Sequence, residues 1–353
     1  MSESRVVGID PGTMFIQVAE TGDNGSINVK TMRNSFVELP DTEDVEEILR
    51  RNEWQWLKDG KHYYILGEDS LRVANMFPNK VELRRPMQDG VLNKNEDKKM
   101  LVLAEMIKAV LGEAPDDKSV ACICVSSESV DGSVDSTFHK SRIAGMFKRL
   151  GWNIKVVEEG HAVILSERPV IVEKDGIGED LEVPYSGLGC SFGAGRANCV
   201  LAYKGLQVAG MSVARSGDFI DKHVSDATGQ PVGQVTRKKE RYLNFDDLDH
   251  DDDIIFALNA YYTEMIKYVF ERFAKKFATV KSQFEYPIPI VIAGGTALPQ
   301  GMCNKIKEVL VGLDLPFEIK DVSLASDPRN AVCKGLLVQA QITKRRLDKG
   351  ESV

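Results

Sequence analysis

With 353 residues, 43% of them hydrophobic and 28% charged, the chain is long enough for two cores and far from the composition of disordered segments. Its 45 basic and 53 acidic residues leave a net charge of −8 and no Lys/Arg block of the kind that follows a phosphate backbone, which argues against nucleic acid as a direct partner. The N-terminus leads into a strand pattern without a basic or long apolar leader, no run approaches membrane-spanning length, and the six cysteines read as reduced thiols of a cytoplasmic protein.

Residues 5–32 read as three strands joined by Gly turns: RVVGID, PGT, MFIQVAE, TGDNG and SINVKTM. Residues 41–49 look helical, 54–66 form a hairpin through Asp59-Gly60, and 68–76 make a short helix, so that 34–82 becomes a small inserted subdomain. Its Trp54 and Trp56 suit a contact surface and a small core equally well. A long amphipathic helix follows at 95–112, then a buried strand at 119–126, a helix at 134–150 and a strand at 153–159.

The charged, Gly- and Pro-containing stretch 168–184 marks the crossing between halves, giving a first lobe over 1–170 and a second over 171–353. The opening shape then recurs at 186–213 as SGLGCS, FGAG, RANCVLAY, KG and LQVAGMSV. Helices are expected at 217–228 and 252–279, a buried strand at 287–295, and helices at 301–311 and 329–344, the last belonging to the second lobe or packing back on the first. The acidic run 246–253 stands at the start of a helix, where acids cap amides and favour the dipole, so it is read as a solvated cap rather than a metal site. Cys122 and Cys124 alternate onto one face of their strand and are read as core.

Chemistry concentrates at three turns. In VVGIDPGT an apolar strand ends in Asp10 and the chain turns through Pro11, Gly12 and Thr13, placing backbone amides beside a carboxylate that can hold Mg2+ through water. A single turn of this kind is no more than an Asx-capped bend. The second, Ser191 to Gly195 through Gly193 and Ala194, changes that weighting, because two turns from two halves can grip a polyphosphate from opposite sides. In the third, IVIAGGTALPQGM, Gly294 and Gly295 present no Cβ to a flat adenosine.

Together these segments resemble the actin, sugar kinase and heat-shock chaperone ATPase superfamily. LGEDSLRVANMFP with VELRRPMQDGVL (66–92), VVEEGHAVIL (156–165), SGDFID (216–221), GGTALPQG (294–301) and SDPRNAVCKG (326–335) make the chain similar to bacterial actins of the MreB and MamK type from Val6 to about Leu337. The resemblance implies an α/β, actin-like fold, that is, a duplicated ribonuclease H-like fold with two lobes around a nucleotide cleft. It implies ATP/ADP and Mg2+ as cofactors, with Asp10 the Mg2+ contact through water and Asp10, Gly12 and Thr13 the first phosphate loop. Gly217 and Asp218 match its nucleoside-side turn, Lys239 and Glu240 its base and ribose contacts, and Gly294, Gly295 and Thr296 its adenosine loop.

The chain departs from that pattern at Ser191, where the family has an Asp. A hydroxyl donates to phosphate but brings no charge to metal or water, so hydrolysis is expected to be slow. For the family's water-orienting Glu or Gln on the helix after strand 119–126, the sequence offers Asp135 or His139. The implied function is a filament of copies of this chain, formed with Mg-ATP, with an adaptor protein as the other partner allowed. The alternative is a nucleotide-sensing scaffold with little turnover. A small-molecule kinase lacks a positioned base, a chaperone lacks a peptide-binding domain after the last helix, and neither G-x-x-x-x-G-K-[ST] nor a strand-linked G-x-G-x-x-G occurs.

Overall fold

The computed structural model describes residues 4–77, 80–92, 97–132, 136–167, 171–174, 180–183, 185–278, 284 and 286–351. Strands β1 (Val6–Pro11), β2 (Phe15–Thr21) and β3 (Ile27–Arg33) form the antiparallel meander that their alternating β-branched residues predict. The insertion follows as β4 (Phe36–Pro40), α1 (Glu43–Arg51), β5 (Trp56–Asp59), β6 (His62–Leu66) and α2 (Gly67–Met76), with its own sheet in the order β4-β6-β5. Its core is Val37, Leu49, Tyr63, Ile65 and Val73. The two tryptophans divide between the readings above: Trp54 packs on this core, while Trp56 is 46% exposed and meets Tyr63 edge-on.

A short hairpin, β7 (Met87–Gln88) and β8 (Val91–Leu92), turns at Asp89-Gly90, where both residues have positive φ. Helix α3 (Asp97–Leu111), β9 (Val120–Val125), α4 (Ser136–Arg149) and β10 (Asn153–Glu158) complete a sheet ordered β10-β9-β1-β2-β3. Because β9 runs parallel between β1 and β10 and is covered on both faces, it is apolar without alternation.

Helix α5 (Glu159–Glu167) then leaves the sheet. The stretch read as a crossing contains an antiparallel hairpin, β11 (Ile171–Lys174) and β12 (Asp180–Val183). The second sheet is built from β13 (Gly187–Phe192), β14 (Ala197–Tyr203) and β15 (Leu206–Val213), followed by α6 (Gly217–Thr228), α7 (Val232–Tyr242), α8 (Asp253–Phe277), β16 (Ile288–Ala293), α9 (Met302–Leu310), β17 (Ile319–Leu324) and α10 (Ala331–Asp348). Its order, β15-β14-β13-β16-β17, repeats the first: an antiparallel meander whose first strand pairs in parallel with a later one. The duplication seen in the sequence is thus a duplication of topology.

Asp252 caps α8 by accepting from the N–H groups of Ile254 and Ile255, both at 3.0 Å, which gives the acidic run its structural role. Helix α7 escapes sequence reading because only Val235 and Lys239 of its eleven residues are buried.

The two sheets are joined by α5 and α10 at glycines. A Cβ on Gly335 of α10 would lie 1.8 Å from the Ala162 carbonyl of α5. A Cβ on Gly8 of β1 would lie 2.2 Å from the Leu337 nitrogen, and one on Gly189 of β13 would lie 2.3 Å from the Gly160 carbonyl. Gly8 and Gly189 are each the third residue of their strand, so α10 lies on the first sheet as α5 lies on the second. No helix among the described residues is long and apolar enough to cross a membrane.

Candidate functional site

Between the sheets lies a cavity of about 360 Å³. Its walls include the first turn (Asp10, Gly12, Thr13), the second (Ser191, Gly193, Ala194, Gly195) and the third (Gly294, Gly295, Thr296). Gly217, Asp218, Lys239, Glu240 and His139 line it too, while Asp135 lies outside the described residues. The first two turns meet: a Cβ on Gly195 would lie 2.7 Å from Thr13 Oγ1. Asp10 and Ser191 are each the fifth residue of their strand, opposite Gln17 and Asn198 on the following strand.

The floor carries an acid that sequence reasoning did not place in the site. Glu159 opens α5 directly after the half-buried strand β10, and it lines the cavity with Asp10, Cys124 and Ser191. Ser126 Oγ donates to Glu159 Oε1 at 3.4 Å, and the Ser191 hydroxyl donates to the same carboxyl. Cys124, read as core, donates its Sγ–H to Asp10 Oδ1 at 3.2 Å and so belongs to the site as well. Burial pushes Asp10 up to about 6, with the Cys124 hydrogen bond opposing. Burial, and next the Asp10 charge, push Glu159 up to about 8. Near pH 7, therefore, Asp10 is mostly ionised, Glu159 keeps its proton, and the pair carries about one negative charge.

Both acids sit above their unfolded values of 3.8 and 4.5, so between those values and about pH 8 the folded chain holds more protons than the unfolded one. Stability of the nucleotide-free protein accordingly falls as pH rises through this window. Glu159→Gln should remove the larger part of that slope: its thermal midpoint should match wild type at pH 5 and exceed it by about 4 °C at pH 8.5. Equal midpoints at both pH values would mean that Glu159 is not held in this environment.

His139 is buried, and its Nδ1 accepts from the Leu92 N–H at 3.2 Å. Burial, helped by the nearby Arg196 charge, pushes it down to about 4, so it is neutral at pH 7 with its proton on Nε2. Arg196, also missed in the sequence, follows the second turn as a buried guanidinium. It donates to Ser212 Oγ at 3.2 Å, Ser129 Oγ at 2.8 Å and the Asp89 carbonyl at 3.2 Å, with Asp131 at 3.6 Å. It therefore ties the second turn to the β7–β8 hairpin and to the loop after β9.

On the side read as the nucleoside's, two of the three charged residues expected there are held by protein partners. Lys239 Nζ lies 2.7 Å from Asp221 Oδ1, and Asp218 accepts from Arg85 Nη1 at 3.0 and 2.8 Å across the cleft. Gly294 has φ of +97°, and a Cβ there would lie 2.3 Å from the Phe192 carbonyl, so only glycine lets the third turn pass behind the second.

The architecture is shared with solved bacterial actins. MreB 5 of Spiroplasma citri bound to AMPPNP matches with a TM-score of 0.68 at 13% identity, covering 99% of this chain and 100% of that one. The same protein bound to ADP gives 0.64 at 14%, covering 98% and 99%, and the MamK double helical filament gives 0.66 at 17%, covering 96% and 99%. No curated protein matches the chain by sequence. At these identities the likeness establishes the fold, which is actin-like and of the MreB and MamK type. The Volactin family model matches residues 6–340, nearly the whole of this duplicated fold and all of its turns, and the chain belongs to the Volactin family.

Proposed function

We propose that the chain binds Mg-ATP in the cavity between its sheets, assembles with copies of itself into filaments while nucleotide is bound, and hydrolyses ATP slowly. The observation that carries this is the meeting of two topologically equivalent glycine turns at one cavity with a desolvated acid pair on its floor. Support comes also from the relatives: MreB 5 is solved with AMPPNP and with ADP, and MamK is solved as a double helical filament.

The floor suits a divalent cation. Asp10 and Glu159 are oxygen donors desolvated beside each other, so a cation would favour the ionised form of both, and Thr13 and Ser191 add hydroxyls in the same cavity. Asp10 would hold Mg2+ through water, and the ion, when bound with nucleotide, would supply charge neutralisation on the phosphates. Backbone amides of the turns bind phosphate oxygens, and Gly12 and Gly193 allow the approach. Glu159 would orient and deprotonate water once its own proton has left; until then it is no base, although its carboxyl still accepts from Ser126 and Ser191.

Slow turnover follows from Ser191. At the position equivalent to Asp10 the second strand offers a hydroxyl, already engaged with Glu159, instead of a second carboxylate. The same proton on Glu159 favours the second reading, a nucleotide-sensing scaffold with almost no turnover. Phosphate release measured beside electron microscopy in ATP, ADP and a non-hydrolysable analogue separates the two. Ser191→Asp should raise phosphate release about tenfold in Mg-ATP and shorten the life of any polymer. Release at the wild-type rate would show that Ser191 does not set the pace.

A further inference from the structure

Three cationic side chains line the cavity: Arg196, Lys239 and Arg329. Arg196 is committed to Ser129, Ser212 and Asp131, and Lys239 to Asp221. Arg329 has no ion-pair or hydrogen-bond partner for its side chain among the described residues and is exposed. Its loop is nevertheless fixed on both sides. The Gly294 N–H donates to the Pro328 carbonyl at 2.9 Å, and Gln17 Nε2 donates to Asn330 Oδ1 at 2.7 Å. A free guanidinium on an anchored loop at a cavity is poised for a ligand.

Burial shows which part of the ligand it meets. Cys124 is buried and Asp10 and Glu159 are half-buried at the floor, whereas Arg329, Glu240 and Gly295 are exposed at the mouth. A Cβ on Gly295 would meet no atom within 4 Å, so open space lies against that turn, with half-buried Leu298 and Pro299 beside it. Phosphates held at the floor leave the base at the mouth. Resting on the nucleotide reading above, we infer that Arg329 is a base-contacting residue whose guanidinium stacks on the purine against the Gly295 and Leu298 side of the cavity. A planar guanidinium covers a purine face better than a lysine ammonium does.

Titration of the full chain with Mg-ATP and, separately, with magnesium tripolyphosphate tests this. Arg329→Ala should weaken ATP binding about five- to tenfold and leave tripolyphosphate binding unchanged, with Arg329→Lys between wild type and Arg329→Ala. An equal loss for both ligands would place Arg329 on the phosphates and overturn the inference, as would unchanged ATP affinity. Wild-type protein that binds neither ligand would instead overturn the nucleotide reading itself.

Discussion

Asp10→Ala is expected to abolish Mg-ATP-dependent pelleting while leaving the fold intact. The residue is half-buried and desolvation of its carboxyl disfavours the ionised form, so the folded protein gains nothing from carrying this charge without a ligand. The thermal midpoint of the nucleotide-free variant should equal or exceed that of wild type at pH 7. What disappears is the group that complements the metal and phosphates, at a cost of about 100-fold or more in Mg-ATP affinity. The rise in midpoint on adding Mg-ATP, which reports binding to the folded state, should vanish together with the polymer. Normal pelleting of Asp10→Ala in ATP would remove the first turn from the site.

The other large effect lies at a residue that does not line the cavity. Gly335→Val places side-chain atoms where α10 already touches the Ala162 carbonyl at a distance no Cβ contact allows. The obstacle is backbone on both sides, so no rotamer relieves it, and α5 and α10 must separate. Their contact joins both sheets, and its loss should cost about 4 kcal/mol or more out of a typical total of about 5–15. Little folded protein should accumulate, and whatever does should unfold at much lower denaturant. Gly145→Ala in α4 is the matched control: its Cβ would meet only the Arg149 Nη1 at 3.8 Å, so a neutral or slightly stabilising outcome is expected. A wild-type midpoint for Gly335→Val would refute the packing account.

The glycine turns were legible because their signal is local. An apolar strand, an Asp or Ser near its end, and a Gly turn lie within about nine residues of chain, and the repeat at 186–213 announces the second half. Glu159 was not legible as a site residue, although VVEEGHAVIL was recognised as a segment. Its place depends on β10 lying parallel to β9, which brings the start of α5 to the ends of β1 and β13. Sequence order instead drew attention to the helix after β9, where His139 lines the wall as a neutral donor.

Arg196 was hidden for a related reason. A charge at the start of a strand looks solvated, and its partners Asp89, Ser129 and Ser212 come from three separate stretches of chain. Lys239 and Asp218 were found by pattern, yet their partners Asp221 and Arg85 emerge only in three dimensions. The glycines at 8, 160, 189 and 335 leave no mark in any local pattern, because a missing Cβ matters only once a neighbouring backbone has arrived.

Glu159 and Gly160 are consecutive residues of α5, and the second is wedged against β13 with no side chain to act as a cushion. The acid consequently has no independent suspension. A torque that swings one half of the molecule about α5 and α10 would therefore pass to its carboxyl, and in the filament proposed above a subunit twisted by its neighbours would carry that acid with it.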